Sequence, residues 1–388
     1  MNLSFEELKK QFQLNPEYTY LNHGSFGACP IPIFEEREKW QRELEFQPVS
    51  FIERNALGYL RKSRESLSEY VHCDKDDIVY FPNPTTAMNM VIRSLDLNEG
   101  DEVLSSNHEY GAVERTWKFM STKRRFKYTS IDIPLPFNKD DFIDKFQKNI
   151  SNNTKVIFLS HITSPTGIVF PIKEICKLAS SLNIMVIIDG AHAPAQIDLN
   201  LSTLGADIYT GACHKWMLCP KGVSFLYASK KVQDLLEPLI ISWGWESEDD
   251  FPRQSNFLDY HQYQGTNDIS SYLSVPAAIN FLNQNNWISV RDRCHEMVIK
   301  SRELLLETSK TEPICSDDSL GQMASIQVKL SKDQSLNDLY TYFQKHKIEI
   351  PVIKWNGMEF IRISFQCYNS WEDIEFLNHH LNEFLHSI

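Results

Sequence analysis

Long apolar runs are missing from this sequence of 388 residues, of which 42% are hydrophobic. No apolar stretch approaches the roughly 18 consecutive residues that a membrane-spanning helix needs. The first ten residues also lack the apolar core of a secretory signal peptide. We therefore expect no membrane partner and a cytoplasmic location.

Positive charge and paired cysteines are scarce as well. The 39 lysine and arginine residues are outnumbered by 51 aspartate and glutamate residues, which gives a net charge of -12. Because nucleic acids attract basic surfaces, we expect no nucleic-acid partner. The eight cysteines follow no paired spacing, and a chain of this length does not need disulfide bonds, so we expect reduced thiols.

Short apolar segments that alternate with helical patterns are what the sequence does contain. Six of them predict strands, and a helical pattern such as 172–182 lies between some of these strands. The predicted strands are 77–81, 101–106, 155–160, 184–188, 207–210 and 223–227. This alternation predicts an α/β fold with a mostly parallel sheet covered by helices on both faces.

The pattern changes after residue 266. Two long helical patterns, 272–282 and 287–308, precede predicted strands at 324–328 and 360–364. This order is typical of a smaller α+β domain. We assign residues 31–266 to a large domain, and residues 1–30 and 267–388 to the small domain.

A lysine and an aspartate at the ends of predicted strands indicate a covalently held cofactor. Lys215 stands between a histidine and a tryptophan, about 26 residues after Asp189. A sheltered lysine with a lowered pKa is the usual Schiff-base partner of an aldehyde cofactor. Asp189 ends an apolar segment that predicts a buried parallel strand, so its carboxylate is expected at the sheet edge where ligands bind. There it can keep a pyridine nitrogen protonated, while His192 donates to the phenolic oxygen of the same ring, which predicts pyridoxal 5'-phosphate (PLP).

A phosphate site is predicted where the strand 77–81 is interrupted by two prolines and a helix begins at Thr85 and Thr86. Backbone N–H groups at a helix start, together with hydroxyls, bind phosphate well. His214 and Thr266 are further candidate phosphate ligands. Thr85 and Thr86 could also serve as helix caps, because capping and phosphate binding use the same geometry.

Eight short motifs follow one another along the chain in the order found in one enzyme family. They are Asn22–Gly27, Pro84–Thr86, His108–Ala112, Ser164–Gly167, Asp189–His192, Cys213–Lys215, Gly265–Thr266 and Ile361–Ser364. On these motifs the sequence resembles the class V aminotransferase superfamily of PLP-dependent enzymes with fold type I. It most resembles the isopenicillin N epimerase-like branch, which also includes sulfoxide lyases. The resemblance implies a seven-stranded type of sheet in the large domain and a homodimer with its active site at the subunit interface.

The resemblance assigns cofactor-binding roles residue by residue. It makes Lys215 the Schiff-base lysine, Asp189 the partner of the ring nitrogen and His192 the neighbour of the ring oxygen. Tyr110 falls where relatives stack a ring on the cofactor, and Ser164 falls where many of them have an asparagine beside it.

Substrate contacts are implied in the same way. Arg362 matches the arginine that binds the α-carboxylate of the substrate, a planar fork that meets a planar anion. Asn22 and His23, in the first motif, belong to the implied substrate-binding set. Thr266 would reach the phosphate bound by the neighbouring subunit.

The cysteines limit the chemistry. Cysteine desulfurases carry a nucleophilic cysteine shortly before the carboxylate-binding arginine, but residues 316–361 contain none. A persulfide mechanism of that kind is therefore not expected. We also expect no metal site at Cys213, His214 and Cys219, because these residues share one short loop and lack a fourth ligand.

Together these residues predict an enzyme that joins the amine of an amino acid to PLP and abstracts the Cα proton with Lys215. Either epimerisation (or racemisation) or cleavage of a Cβ–S bond can follow, and the residues do not rank the two outcomes. A class V aminotransferase is one alternative. A non-catalytic binding module that retains the fold is the other.

Overall fold

A computed structural model describes residues 3–246 and 254–386 of the chain, in which fifteen α-helices and twelve strands are found. The strands are β1 (Thr19–Tyr20), β2 (Ile78–Phe81), β3 (Glu102–Ser106), β4 (Lys127–Ile131), β5 (Thr154–Ser160), β6 (Met185–Asp189), β7 (Ile208–Ala212), β8 (Ser224–Ala228), β9 (Met323–Gln327), β10 (Ile348–Glu349), β11 (Val352–Trp355) and β12 (Met358–Ser364). The helices are α1 (Phe5–Lys9), α2 (His23–Phe26), α3 (Ile31–Phe46), α4 (Ala56–Val71), α5 (Pro84–Ser94), α6 (Gly111–Arg124), α7 (Lys139–Asn149), α8 (Ile172–Ser181), α9 (Leu201–Leu204), α10 (Asn256–Gln262), α11 (Ser270–Leu273), α12 (Val275–Gln284), α13 (Trp287–Ser309), α14 (Leu336–Lys345) and α15 (Trp371–His386).

The seven-stranded sheet has the strand order β2-β8-β7-β6-β5-β3-β4. Strand β8 is antiparallel to both of its neighbours, and every other pair in the sheet is parallel. Six strands therefore run in one direction and end at the same edge of the sheet. In open α/β sheets this carboxyl edge is where ligands bind.

Both faces of this sheet are buried, as the near-continuous apolar strands predict. Strands β2, β3, β7 and β8 are buried along their whole length. On one face Phe81 and Phe158 pack with Trp117 of α6, and each large apolar side chain removed from water contributes roughly 1.5–3 kcal/mol. The core thus holds the carboxyl edge rigidly in place.

The sequence-based strands of this sheet are confirmed, with ends that differ by a residue or two. The seventh strand, β4, was not predicted. It pairs only with β3, at the end of the sheet, and the side chains of Lys127 and Ser130 are exposed. A polar edge strand lacks the apolar run that marks its buried neighbours.

A second, antiparallel sheet has the order β11-β12-β9. Strands β9 and β12 confirm the strands predicted at 324–328 and 360–364, and the hairpin partner β11 was not predicted. The N-terminal segment joins this region, because β1 pairs with β10 and Asn22 forms a bridge with Ser364. These pairings bring residues 22–27 close to β12; the domain boundaries themselves remain a prediction.

None of the helices in the described part of the chain has the length and apolar character required to cross a membrane.

Candidate active site

Most of the predicted site residues follow strands that end at the carboxyl edge of the large sheet. Asp189 is the last residue of β6, and Lys215 follows β7 by three positions. Ser164 follows β5, Tyr110 follows β3, and α5 with Thr85 and Thr86 follows β2. The parallel topology therefore gathers loops from five strands at one edge.

Lys215 and His192 are in direct contact. The amine Nζ of Lys215 lies 3.1 Å from Nε2 of His192. The Nδ1 atom of His192 faces the indole N–H of Trp216 at 3.4 Å, so Nδ1 accepts and Nε2 carries the proton of a neutral imidazole. Burial, followed by the charge of Lys215, holds the pKa of His192 well below its usual value. His192 is thus a neutral donor directed at the lysine amine.

Asp189 is a buried carboxylate with one oxygen available to a ligand. The side chain is 3% exposed, and its Oδ1 accepts a hydrogen bond of 3.0 Å from the backbone N–H of Ala191. Among the described residues no protein donor contacts Oδ2. Burial raises the pKa of Asp189, while the Ala191 N–H and the charge of Lys215 lower it. An N–H group of a bound ring would satisfy Oδ2.

Arg362 is a buried guanidinium without a carboxylate partner. It is 3% exposed, and no acidic side chain of the described residues lies within 4.0 Å of it. Its fork donates to the carbonyl oxygen of Ser164 and, at 3.1 Å, to Oγ of Ser25, whereas Nε has no hydrogen-bond partner. Burial lowers the pKa of Arg362 to about 10. A buried cation left unpaired in this way requires an anion.

Arg362 carries positive charge in this site. Burial lowers its pKa to about 10, so the guanidinium remains charged at neutral pH. Burial and then the charge of Arg362 lower the pKa of Lys215 to about 7, while the charge of Asp189 acts in the opposite direction. Burial lowers the pKa of His214 to about 4 and that of His23 to about 3, so both imidazoles are neutral at pH 7. The buried charge of Arg362 therefore suits a ligand that carries negative charge.

The start of α5, where the phosphate site is predicted, is capped by a side chain. Asn83 is the N-cap, and its Oδ1 accepts the backbone N–H of Thr86 at 2.8 Å and the Thr86 hydroxyl at 3.1 Å. Thr85 makes no such contact with its side chain among the described residues. His214, whose Nδ1 lies 2.9 Å from the carbonyl oxygen of Val223, has Nε2 available for a ligand. The phosphate roles of these residues remain predictions.

The imidazole ring of His23 contacts the backbone of Lys215. Its Nδ1 lies 2.8 Å from the hydroxyl of Tyr368, and its Nε2 lies 3.1 Å from the carbonyl oxygen of Lys215. Both ring nitrogens are thus engaged within the protein, which gives His23 a positioning role and leaves its substrate contact a prediction. Asn22 is 6% exposed, and its Oδ1 is buried without a partner, so this side chain has spare hydrogen-bonding capacity.

Tyr110 and Thr266 lie on the surface of the single chain. Tyr110 is 45% exposed, and Thr266 is exposed in the turn that begins at Gly265. Among the described contacts none joins either residue to Lys215. Their cofactor roles remain predictions, and that of Thr266 involves a second subunit.

Two residues that the sequence reasoning left without a role belong to this region. Glu109 is 8% exposed and accepts hydrogen bonds from the Ser106 hydroxyl at 2.6 Å and from the N–H and hydroxyl of Ser160 at 2.7 Å each. Burial raises the pKa of Glu109 to about 7, and the charge of Asp189 adds to the rise. Its position within the motif His108–Ala112 is the feature of the sequence that could have pointed to Glu109. Ser25, which contacts Arg362, is separated from it by 337 positions, and no local signal marks the contact.

Comparisons with known proteins place the chain in a family. A model of the family described as "Aminotransferase class-V" matches residues 49–377. The chain belongs to this family.

Two relatives in sequence and one solved structure are similar to this chain. The chain is 28% identical to isopenicillin N epimerase of Amycolatopsis lactamdurans over 388 residues, which cover 97% of each protein. It is 27% identical to a probable chloroplastic L-cysteine desulfhydrase of Arabidopsis thaliana over 416 residues, 98% of this chain and 86% of that protein. The cystine C–S lyase C-DES, solved with its product cysteine persulfide, superposes with a TM-score of 0.82 at 21% identity and covers 95% of this chain and 98% of that one. The predicted fold is thereby confirmed.

Class V aminotransferases use PLP, and the residues of the site fit this cofactor. A lysine with a lowered pKa and a buried aspartate with a free oxygen match its aldehyde and its ring nitrogen, and the free Nε2 of His214 suits its phosphate. The predicted cofactor is confirmed.

The pKa of Lys215 makes capture of the cofactor depend on pH. Only the neutral amine attacks an aldehyde, so the rate at which the class V apoenzyme bonds PLP should rise with pH up to about 7 and level off above it. Stopped-flow absorbance of apoenzyme mixed with PLP measures this rate. In Arg362→Met the profile should move to higher pH, because a positive charge that lowers the pKa of Lys215 is gone. A wild-type rate that keeps rising through about pH 9 would contradict the lowered pKa.

Gly27 lets the N-terminal segment approach the Lys215 turn. Its φ is +70°, and a Cβ there would lie 2.3 Å from the carbonyl oxygen of His214 and 2.9 Å from Cα of Lys215. We expect Gly27→Ala to cost about 1–3 kcal/mol and to lower the melting temperature and PLP occupancy. Gly58→Ala, in α4 with open space around it, is the control and should stabilise the protein by about 0.5–1 kcal/mol. Equal melting temperatures for Gly27→Ala and wild type would show that the backbone can shift freely here.

Proposed function

We propose that this protein is a PLP-dependent β-lyase that removes the Cα proton of an L-cysteine derivative and releases its sulfur substituent. The observation that carries the proposal is the arrangement of one amine, Lys215, between a neutral donor, His192, and a buried, unpaired guanidinium, Arg362. The two curated relatives described above support the choice, because one is named as an epimerase and the other as a cysteine desulfhydrase. Both names imply loss of a Cα proton.

Each residue has a part in this chemistry. When bound, PLP supplies an aldehyde that captures the substrate amine and a ring that withdraws electrons from Cα. Asp189 would hold the ring nitrogen and favour its protonated form, and His192 would donate to the ring oxygen. Arg362 binds the α-carboxylate through two parallel hydrogen bonds and fixes the orientation of the Cα–H bond. Lys215 takes the Cα proton as general base.

Elimination is favoured over epimerisation by the number of bases at the site. Elimination at Cβ needs one base at Cα, and Lys215 is placed to act as it. Inversion is most readily achieved with a second acid–base group on the opposite face of Cα. Among the other predicted site residues with acid–base groups, Tyr110 is 45% exposed, and burial lowers the pKa of the three histidines, His23, His192 and His214, which makes each a weaker base. Cleavage of a Cβ–S bond is also consistent with the absence of a cysteine in residues 316–361, because the sulfur then leaves as a free thiol or sulfide.

The experiment is a product analysis with purified holoenzyme. L-Cysteine, L-cystine and S-alkyl cysteines are supplied, and thiol or sulfide, pyruvate and ammonia are measured; hydrolysis of one S-alkyl cysteine should yield one equivalent of each. D- and L-amino acids are followed in parallel by optical rotation in deuterated water. Inversion with deuterium at Cα and without pyruvate would replace elimination by epimerisation. Formation of the pyridoxamine form of the cofactor would indicate a transaminase.

We further propose that the protein works as a homodimer. Phe26, next to the Arg362 contact Ser25, is 68% exposed, and Trp243 is 74% exposed. Large apolar side chains exposed on a protein surface suit coverage by another subunit. Light scattering should give about twice the mass of 45.2 kDa. Mixed dimers of Lys215→Ala with Thr266→Tyr should recover activity that each variant lacks, because one of the two sites then has both native residues; no recovery would place Thr266 outside the neighbouring site.

A cytoplasmic location belongs to the same proposal. All eight cysteines are free, which suits a reducing compartment. Fractionation of the source cells with an antibody against the protein tests it, and recovery outside the cytoplasm would refute it.

A further inference from the structure

The C-terminal helix α15 carries a group of metal-ligating side chains that the proposed catalysis does not use. His379, His380 and Glu383 place one potential ligand atom each within 4.8 Å of one another. The Nε2 atom of His379 lies 3.4 Å from Oε1 of Glu383, and Nδ1 of His380 lies 3.1 Å from Oε2 of Glu383. None of the described contacts links this group to Lys215 or Arg362.

Two of these separations are close to those of ligands around one small cation. Bonds of roughly 2.0–2.1 Å in tetrahedral geometry put neighbouring nitrogen and oxygen ligands about 3.3 Å apart. Each histidine has this spacing to one of the two oxygens of Glu383, and the group as a whole spans up to 4.8 Å, so a bound ion would draw the ligand atoms together. Glu383 lies four positions after His379 and three after His380, so the backbone of α15 brings its carboxylate to each histidine.

The ring of His380 is held in a fixed orientation by its neighbours. His346, which follows α14, packs against it with ring centroids 4.1 Å apart and the planes tilted by 32°, and Phe376 meets it edge-on at 4.6 Å. The hydroxyl of Tyr342, on α14, donates to Oε2 of Glu383 at 2.9 Å and lies 3.3 Å from Nδ1 of His380. Such outer contacts orient metal ligands in proteins.

We propose that His379, His380 and Glu383 form a binding site for one divalent transition-metal ion, with Zn²⁺ as its best representative. Two histidines and one glutamate are a common zinc ligand set, and the fourth position is left to water or to the Tyr342 hydroxyl. Because Tyr342 and His346 come from the α14 region, an occupied site stabilises the packing of α14 against α15. The proposal is independent of the reaction that the PLP site catalyses.

Zinc binding to the holoenzyme tests the proposal. Equilibrium dialysis against Zn²⁺ should show one ion per chain that is bound at least roughly tenfold more weakly in His379→Ala and in Glu383→Gln. Both side chains are substantially exposed, at 63% and 49%, so these variants should fold. His386→Ala, which removes an exposed histidine from the same helix, is the matched control and should bind like wild type.

A second measurement distinguishes a specific zinc site from nonspecific binding of zinc by exposed histidines. Zn²⁺ should raise the melting temperature of the wild type and of His386→Ala, and should leave that of His379→Ala unchanged, because an ion bound to the folded state stabilises it. Zinc binding of the wild type that is no tighter than that of either ligand variant overturns the proposal. An equal loss in His386→Ala does so as well.

Discussion

Replacing Lys215 with alanine is expected to abolish the yellow absorbance of the PLP-loaded protein and its catalysis. The amine of Lys215 is held 3.1 Å from His192, and its pKa is lowered to about 7, so it is neutral and reactive at physiological pH. Its loss removes both the covalent bond to the cofactor and the general base. We expect exchange of the Cα proton, measured by NMR in deuterated water, to fall by at least roughly 10²–10⁴.

Lys221→Ala is the matched control for this substitution. Lys221 also lies partly buried near the N-terminal segment, where its amine donates to the carbonyl oxygen of Gly27 at 2.8 Å. The visible absorbance should survive in this variant. If Lys215→Ala kept its colour, or if Lys221→Ala lost it, another amine would carry the cofactor and the assignment of the site would be wrong.

Replacing Arg362 with methionine should remove substrate binding and leave the fold intact. Arg362 has no carboxylate partner among the described residues, so the folded protein loses no ion pair and sheds a buried charge. Loss of a buried cation that pairs with the substrate carboxylate costs about 2–5 kcal/mol of binding, or roughly 30-fold to several thousandfold in kcat/KM. Steady-state kinetics and a melting curve of the same preparation measure both effects.

Arg302→Met provides the opposite case. Arg302 is also buried, but it pairs with Asp317 and donates to the carbonyl oxygen of Cys315 at 2.9 Å. Its removal should lower the melting temperature by leaving those groups unpaired, with kcat/KM unchanged. A stability loss in Arg362→Met as large as that of Arg302→Met, with normal kcat/KM, would make Arg362 a structural residue.

The strands that could be predicted are those whose local sequence is apolar and whose side chains are also buried in the folded protein. Strands such as β6 are apolar on both faces because both faces are covered by helices. Their sequences are therefore continuous apolar runs, which can be recognised without the structure. Strand β4 lies at the edge of the sheet and is half exposed, so its sequence is polar. The position of a strand within its sheet depends on contacts made elsewhere in the chain.

The same distinction applies to the site. Asp189 and Lys215 could be predicted because Asp189 ends a strand and Lys215 follows the next one by three positions, and the chemistry of PLP needs an acid and an amine. Ser25 and Glu109 contribute through contacts that only the folded chain creates. The sequence spacing of His379, His380 and Glu383 on α15 did not predict a metal site either, because adjacent histidines and a glutamate on a helix more often face solvent. The roles of Tyr110 and Thr266 remain predictions, because Tyr110 would contact the cofactor and Thr266 would contact a second subunit.

The anchoring of Arg362 between Ser25 and Ser164 has a consequence for recognition. A free arginine side chain loses about 1.5–2 kcal/mol of rotamer freedom when it is ordered. In this protein that freedom is already lost when the chain folds, since the guanidinium is held from both sides before any ligand arrives. An incoming carboxylate thus meets a preorganised receptor, and discrimination between amino acids is left to the groups around their side chains.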